Sequence, residues 1–330
     1  MEEISSVVKK ELYAAELADE CLLPFLSGAI RGSGEVSLLR TGYEVEFIHA
    51  DKEFIDLLSD VVYRLEGVKT ERTETVIDGE KKYALYIDSH LSNILLERCL
   101  IVKDRYELIQ GIPKELFPSS VDRSDDHLPD DLSSASKRAF LRGLYLSCGN
   151  LRVPDDIEEW SQNKTKSGYL LSLNLNSDYV EEDVIKLIAE QAETDVSSVM
   201  ARPRGFTVFI KNSQVICNFL TAIGSNIGVL RLYEVITNRK MKNDMNRLQN
   251  FEIANIDKTV LSSAKQIAAI KEVDKKIGLK NLSDGLRQVC EYRLQNVEAG
   301  LEEIAKMFDP PVTKSCVNHR MRRIMELAQK

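Results

Sequence analysis

The sequence predicts an α+β protein: a pseudo-two-fold front domain of two αββαββα repeats, followed by an all-α tail. Three observations predict it. The stretches FLSGAIRGSGEV, from Phe25, and FLRGLYLSCGNL, from Phe140, align without a gap 115 residues apart. The same order of helix and hairpin patterns follows each copy, as two pseudo-symmetric halves require. The charge also changes sign along the chain. Residues 1–229 hold 25 basic and 39 acidic side chains, a balance of −14, whereas residues 230–330 hold 19 and 13, a balance of +6. An acidic front and a basic tail imply that the tail is the part that meets a polyanion.

Each element has its own local signal. After the first copy, EVSLLRTGYEVEFIHA reads as two strands joined at Thr41-Gly42, with Tyr43, Val45 and Phe47 alternating against Glu44 and Glu46. Phe54, Leu57, Leu58, Val61, Val62 and Leu65 form a helical stripe closed by Gly67. A hairpin turning at Asp78-Gly79 and a helix from about Ser89 complete the half, residues 1–115. In the second half, residues 135–229, Leu171, Leu173 and Leu175 mark a strand. A helix capped by Ser177 or Asp178 follows it, then a hairpin near Pro203-Arg204-Gly205 and a closing helix. The Ser-, Pro- and Asp-rich residues 116–134 read as a linker, and residues 153–167 as an acidic insertion in the second half's first hairpin. Residues 230–260 read as an interdomain helix and linker, and 261–330 as a helix-turn-helix domain.

The bulk numbers set limits. At 330 residues there is room for two or three cores. No apolar run approaches the roughly 20 residues that span a bilayer, and the charged start, MEEISSVVKKELYAAELADE, lacks a signal-peptide pattern. Cys21, Cys99, Cys148, Cys217, Cys290 and Cys316 are scattered without a C-x-x-C pair, so reduced thiols are expected and neither a metal nor a cofactor is.

Gly28 and Gly32, and Gly143 and Ser147, are small residues four apart on one helical face. A close helix–helix contact there offsets the ~1 kcal/mol that glycine costs inside a helix. Residues 26–34 and 141–149 resemble the LAGLIDADG motif of homing endonucleases. In those enzymes the motif helices form the interface, and an acidic residue at the eighth place of each binds the catalytic metals. Here the eighth places are Ser33 and Cys148, and the sixth are Arg31 and Leu146. Magnesium prefers carboxylates and water. Glu35 has Asn150 as its counterpart, so a symmetric carboxylate pair is missing and no catalytic residue is assigned. Glu44 and Glu46 would lie on the face that forms the enzymes' DNA saddle, where they would repel phosphates.

The tail carries the other motif. A helix begins near Ser283 with Leu286, Val289, Cys290 and Leu294 on its apolar side. A short helix turns Leu301, Ile304, Ala305 and Phe308 inward. DPPVTKS breaks the chain, and a final helix runs from about Lys314 to Leu327, capped by Thr313. At 100° per residue, Val317, Met321, Ile324 and Ala328 share its inner face, while Ser315, Asn318, His319, Arg322, Arg323 and Glu326 share the outer one. This is a helix-turn-helix pattern whose DNA-contact candidates are Thr313, Lys314, Ser315, Asn318, His319, Arg322 and Arg323. The polar string Asn246–Thr259 reads either as a capped turn between helices, or as an interdomain or DNA contact through Arg247, Asn250 and Lys258.

AFLRGLYLSCGNL, NRLQNFEIANIDKT and DPPVTKSCVNHRMRRI together resemble the WhiA family of bacterial DNA-binding regulators, over nearly the whole chain. The resemblance implies a degenerate homing-endonuclease fold joined to a helix-turn-helix domain. It also implies a non-catalytic transcriptional regulator tied to cell division and, in sporulating species, to sporulation. The expected partners are double-stranded DNA for the C-terminal domain, and another transcription factor or the transcription machinery for the N-terminal one. No membrane is expected, and the place of action would be the nucleoid in the cytoplasm. The rival readings are a divergent metal-dependent homing-type endonuclease and a protein-interaction scaffold tethered to the nucleoid.

Overall fold

Two small-residue faces decide the architecture, because they let the repeat helices meet backbone to backbone. The computed structural model describes residues 3–40, 42–104, 107–117, 132–154, 168–203 and 205–329. The chain divides into two compact units, Met1–Thr237 and Asn238–Lys330.

In the first unit a leading helix, α1 (Ile4–Ala14), precedes two repeats. The first repeat is α2 (Leu22–Ser33), β1 (Glu35–Leu39), β2 (Gly42–His49), α3 (Lys52–Glu66), β3 (Glu71–Ile77), β4 (Glu80–Ile87) and α4 (Ser89–Arg98). A small hairpin follows, β5 (Val102–Lys103) and β6 (Glu107–Leu108). The second repeat is α5 (Leu132–Cys148), β7 (Gly149–Arg152), β8 (Leu170–Asn174), α6 (Glu181–Gln191), β9 (Val199–Ala201), β10 (Thr207–Ile210) and α7 (Ser213–Ala222).

The two antiparallel sheets have matching orders, β1-β2-β4-β3 and β7-β8-β10-β9. Their registers match too: Glu35 lies opposite Glu46 as Asn150 lies opposite Ser172, and Glu46 opposite Tyr86 as Ser172 opposite Phe209. Tyr43, Val45 and Phe47 are buried on the inner face, as are Leu171 and Leu173. Asp78 and Gly79 take φ of 55° and 82°, the left-handed pair that a two-residue hairpin needs.

The helices α2 and α5 pack reciprocally. A Cβ on Gly28 would overlap the carbonyl oxygen of Phe140, and one on Gly143 would overlap that of Phe25. Phe25 and Phe140 hold the same place in the two repeats, so each glycine makes room for the other copy's backbone. Gly32 meets the Ser147 hydroxyl in the same way.

Helix α1 fastens this unit from outside the repeat. Lys9 Nζ and Tyr13 Oη donate to the Asp51 carboxylate at 2.9 and 2.8 Å. Arg142 donates to the carbonyls of Leu12 and, at 2.5 Å, Ala15 at the C-terminal end of α1. Glu11 accepts from Ser225 Oγ (2.9 Å) and from the amides of Ile227 (2.9 Å) and Gly228 (3.0 Å). It thereby fills orphan donors in the first turn of α8 (Asn226–Lys276). Burial alone would raise the Glu11 pKa, but these hydrogen bonds outweigh it and hold it below the ordinary 4.5.

Three local expectations meet a different outcome. The capped turn expected within Asn246–Thr259 does not form, because α8 runs through it unbroken. No glycine or proline lies between Val229 and Ile277 to stop it, and the Thr259 hydroxyl donates to the Asn255 carbonyl along the helix. The residues 178–180 form a single 3-10 turn ahead of α6, and neither Ser177 nor Asp178 caps that helix with its side chain. Leu294 is 36% exposed, while its neighbour Arg293 is buried. The readings of residues 118–131 as linker and 155–167 as insertion lie outside the described residues, as do Thr41 and Arg204.

The second unit packs the remainder of α8 with α9 (Asp284–Gln295), α10 (Leu301–Lys306) and α11 (Lys314–Gln329). Its core joins Ile270 and Val273 of α8 to Val289 and Cys290 of α9, with Ile304 of α10 and Phe308 just past that helix. Arg293, 2% exposed, donates to the Ala299 carbonyl at 2.6 Å and to that of Asn296 at 3.3 Å. This ties down the α9–α10 connection.

Two outcomes are expected. Gly143→Ala forces apart two backbones and should destabilise the full chain by at least about 1–3 kcal/mol, so an unchanged denaturant midpoint would refute the contact. The Glu11 contribution is complete above about pH 4.5 and fades as pH falls through its lowered pKa. Glu11→Gln should therefore lower the melting temperature at pH 7 and flatten the acid limb of the stability profile.

Candidate nucleic-acid interface

Helix α11 is placed by its apolar stripe and started by its cap. Thr313 Oγ1 accepts from the Cys316 amide at 3.2 Å, and the Thr313 carbonyl accepts from Val317 at 3.2 Å. Val317, Met321 and Ile324 are fully buried against Ile304, Ala305 and Phe308, with Ala328 packed at the edge. The Val312 amide donates to the Ala305 carbonyl at 3.1 Å, closing the turn between α10 and α11. Phe308 stacks edge-on to Tyr292, centroids 4.9 Å apart, and the Arg320 guanidinium lies 5.2 Å from its ring. Arg320 therefore commits its side chain to packing.

The candidate contact residues fall on the other side of the helix. Thr313, Lys314, Ser315, His319, Arg322 and Arg323 are exposed, and Asn318 is half-buried. Arg323 reaches Glu326 at 3.4 Å with both side chains 62% exposed. A pair that open to water contributes little, so Arg323 can exchange it for a phosphate. Arg247, Asn250 and Lys258 are exposed along α8. Arg247 lies 3.8 Å from Asp244. Lys258 shares with Lys306 and Lys314 a groove of about 1180 Å³ between α8, the α9–α10 connection and the start of α11, which Glu298 and Glu302 also line.

The positions where the endonuclease motif puts its acids are closed and uncharged. Ser33 ends α2 with its hydroxyl buried. Cys148 ends α5, its Sγ 3.2 Å from the Leu144 carbonyl, and burial pushes its thiol up to about 12. A thiol protonated at neutral pH is no ligand for a hard cation. Arg31, at the sixth place, is buried and donates to the carbonyls of Leu100 (3.0 Å) and Gly111 (3.1 Å). Burial brings its pKa down to about 10, so it stays charged at neutral pH. Among the described residues no three His, Cys, Asp or Glu side chains converge as a metal site, and no helix is long and apolar enough to cross a membrane.

Sequence reasoning missed the polar anchors Glu11, Arg31, Arg142 and Arg293. Each sits at a position that periodicity treats as ordinary surface or core; Glu11, Arg31 and Arg142 reach groups distant in the chain, and Arg293 reaches the carbonyls of the connection that follows its own helix.

Comparison with known proteins agrees with both units. The WhiA LAGLIDADG-like domain matches residues 23–95 and 137–242, and the WhiA C-terminal HTH domain matches residues 245–328. A "Probable cell division protein WhiA" of Staphylococcus aureus is 30% identical over 99% of this chain and 96% of its own length. A protein of the same name from Oceanobacillus iheyensis is 27% identical, with the same shares covered. The crystal structure of full-length DUF199/WhiA from Thermotoga maritima aligns with a TM-score of 0.51 at 23% identity, over 99% of this chain and 98% of that one. With both domain models matched and a relative of this identity aligned end to end, the chain belongs to the WhiA family.

Proposed function

We propose that this chain is a non-catalytic, sequence-specific DNA-binding regulator of transcription. It acts on the nucleoid in bacterial cell division and, in sporulating species, in sporulation. The observation that carries the reading is the outer face of α11, where two arginines, a lysine, a histidine and short polar side chains stand on a helix whose inner face is locked into the core of its unit. A helix-turn-helix lays its second helix in the major groove and reads with the residues near its start. Ser315, Asn318 and His319 then face base edges, while Thr313, Lys314, Arg322 and Arg323 contact phosphates or guanine edges. Lys258 adds a phosphate contact from α8, and Arg247 and Asn250 remain contacts to DNA or between domains. The name borne by the relatives supports the cell-division role.

The first unit serves as scaffold and as a docking module for another transcription factor or for the transcription machinery. One helix-turn-helix reads few bases, so cooperation with a second DNA-bound chain fits the tail. Ser33 and Cys148 in place of acids argue against cleavage.

Arg322→Ala with Arg323→Ala should weaken DNA binding and flatten its salt dependence by about 0.9 for each phosphate no longer neutralised. Unchanged affinity and slope in a gel-shift titration would sink the assignment of α11. Thr313→Ala removes the cap at the start of α11 and should cost about 0.5–2 kcal/mol of stability, read by thermal unfolding of the full chain. Incubation of duplex DNA with the protein and magnesium or manganese should leave it intact, and cleaved product would revive the nuclease reading.

A further inference from the structure

Arg293 is bonded on one side only. Its Nη1 donates to the carbonyls of Ala299 and Asn296 and, at 3.5 Å, to Ser263 Oγ. Nε is buried without a hydrogen-bond partner, and among the described residues Nη2 has none either. Nε and Nη2 form the edge on which a guanidinium takes an oxyanion by two parallel bonds. The other buried arginines differ, since Arg31 and Arg142 both spend Nη2 on backbone carbonyls. Burial lowers the Arg293 pKa, and no neighbouring carboxylate opposes that shift. A guanidinium only 2% exposed is costly to keep charged unless something pairs with it.

Arg293 and the buried Ser263 line the groove that also holds Lys258, Lys306 and Lys314. Its volume of about 1180 Å³ is ample for a small organic ligand. Lys306 lies 3.6 Å from Glu302, whereas Lys258 and Lys314 are exposed and in no ion pair among the described residues. Glu303 is occupied as well, accepting from the Gly300 amide at 2.7 Å. That leaves Glu298 as the open acid of the groove. The same groove exposes apolar side chains: Ile256, Val260 and Val297 are each more than half exposed. Cations around a buried, half-bonded guanidinium, next to bare apolar groups, suit an anion with an organic body.

We propose that this groove binds a small phosphate ester, whose oxygens take the Nε–Nη2 edge of Arg293 together with Lys258 and Lys314, while its organic part lies against Ile256, Val260 and Val297. Two free lysines beside the guanidinium favour a phosphate monoester, which carries more charge than a carboxylate. Glu298 is placed to accept a hydroxyl or amino group of the organic part. Lys258 and Lys314 are also assigned to DNA phosphates above, so an occupied groove withdraws both from DNA. That consequence rests on the reading of α11; binding of the ester does not.

The test is isothermal titration of the full chain, at constant ionic strength, with inorganic phosphate, adenosine monophosphate and adenosine. Inorganic phosphate should bind, the monophosphate should bind more tightly because it also covers the apolar groups, and adenosine should not bind. Lys258→Ala, at an exposed position, should weaken both phosphates about tenfold or more, the effect of one lost charge-assisted contact. Arg293→Lys keeps a cation for the Ala299 carbonyl but lacks the paired edge, and should lose as much. If its melt shows it unfolded, Lys258→Ala carries the test. No binding by either phosphate, or binding that Lys258→Ala leaves unchanged, overturns the proposal.

A DNA backbone presents the same phosphate chemistry, so a random-sequence duplex followed by fluorescence anisotropy is the second arm. The monophosphate should displace it from the parent chain. If the monophosphate binds and the duplex stays, the site stands and the assignment of Lys258 and Lys314 to DNA falls. If neither phosphate binds while Lys258→Ala weakens the duplex, these cations serve DNA alone, and this inference falls while the reading of α11 stands. Arg322→Ala with Arg323→Ala should leave the titration with monophosphate unchanged.

Discussion

The first unit depends on the reciprocal contact of Gly28 and Gly143 with the carbonyls of Phe140 and Phe25. Two helices can approach this closely only where neither presents a Cβ, and a two-fold contact demands that condition twice at equivalent places. The rest of the unit is hung from that seam. Each helix leads directly into the first strand of its own sheet, Gly34 and Gly149 turning the chain, so the seam also fixes where each sheet begins. A repeat that kept only one of the two glycines could not form it.

Buried arginines finish what the glycines start. Arg31 and Arg142 project from the two seam helices at different places in the repeat, and Arg293 lies in the second unit. All three donate to carbonyls at or just beyond helix C-termini: Leu100 after α4, Leu12 and Ala15 of α1, and Asn296 after α9. Those carbonyls are the groups that a helix leaves unpaired, and its dipole favours a cation there. Burial brings Arg31 and Arg142 down to about 10, still far above neutral, so each remains a charged cap rather than a neutral filler. Because Ser27 stands where Arg142 has its guanidinium, only the second seam helix can hold α1, and the symmetry is broken there by chemistry.

Much of this was legible in the sequence, for physical reasons. The repeat, the strand alternation of Tyr43, Val45 and Phe47, the Asp78-Gly79 turn and the inner stripe of α11 are local patterns set by one element's own geometry. The seam glycines were legible because they occur twice. Two of the anchors that escaped notice join residues far apart, Glu11 to the start of α8 and Arg142 to the end of α1, while Arg293 turns back on the connection that follows its own helix, which no periodicity marks. The unbroken α8 escaped for another reason. Asn246, Asn250 and Asn255 look like turn formers, but without a glycine or proline beside them they stay in the helix and point to water.

The charge balance of the whole chain hides where its charges stand. The acidic front is not uniformly acidic: Glu35, Glu44, Glu46, Glu71 and Glu80 share the outer face of the first sheet, while the matching central row of the second, Asn150, Ser172, Phe209 and Met200, is uncharged. Ser33 and Cys148 stand at matching places of the two seam helices, and neither is a carboxylate. Nothing in the seam holds the two outer faces to the same chemistry, since the seam is made of glycines and backbone and the faces point away from it. The fold can then keep its symmetry in the interior and abandon it at the surface, and the two registers, compared residue against residue, have that form.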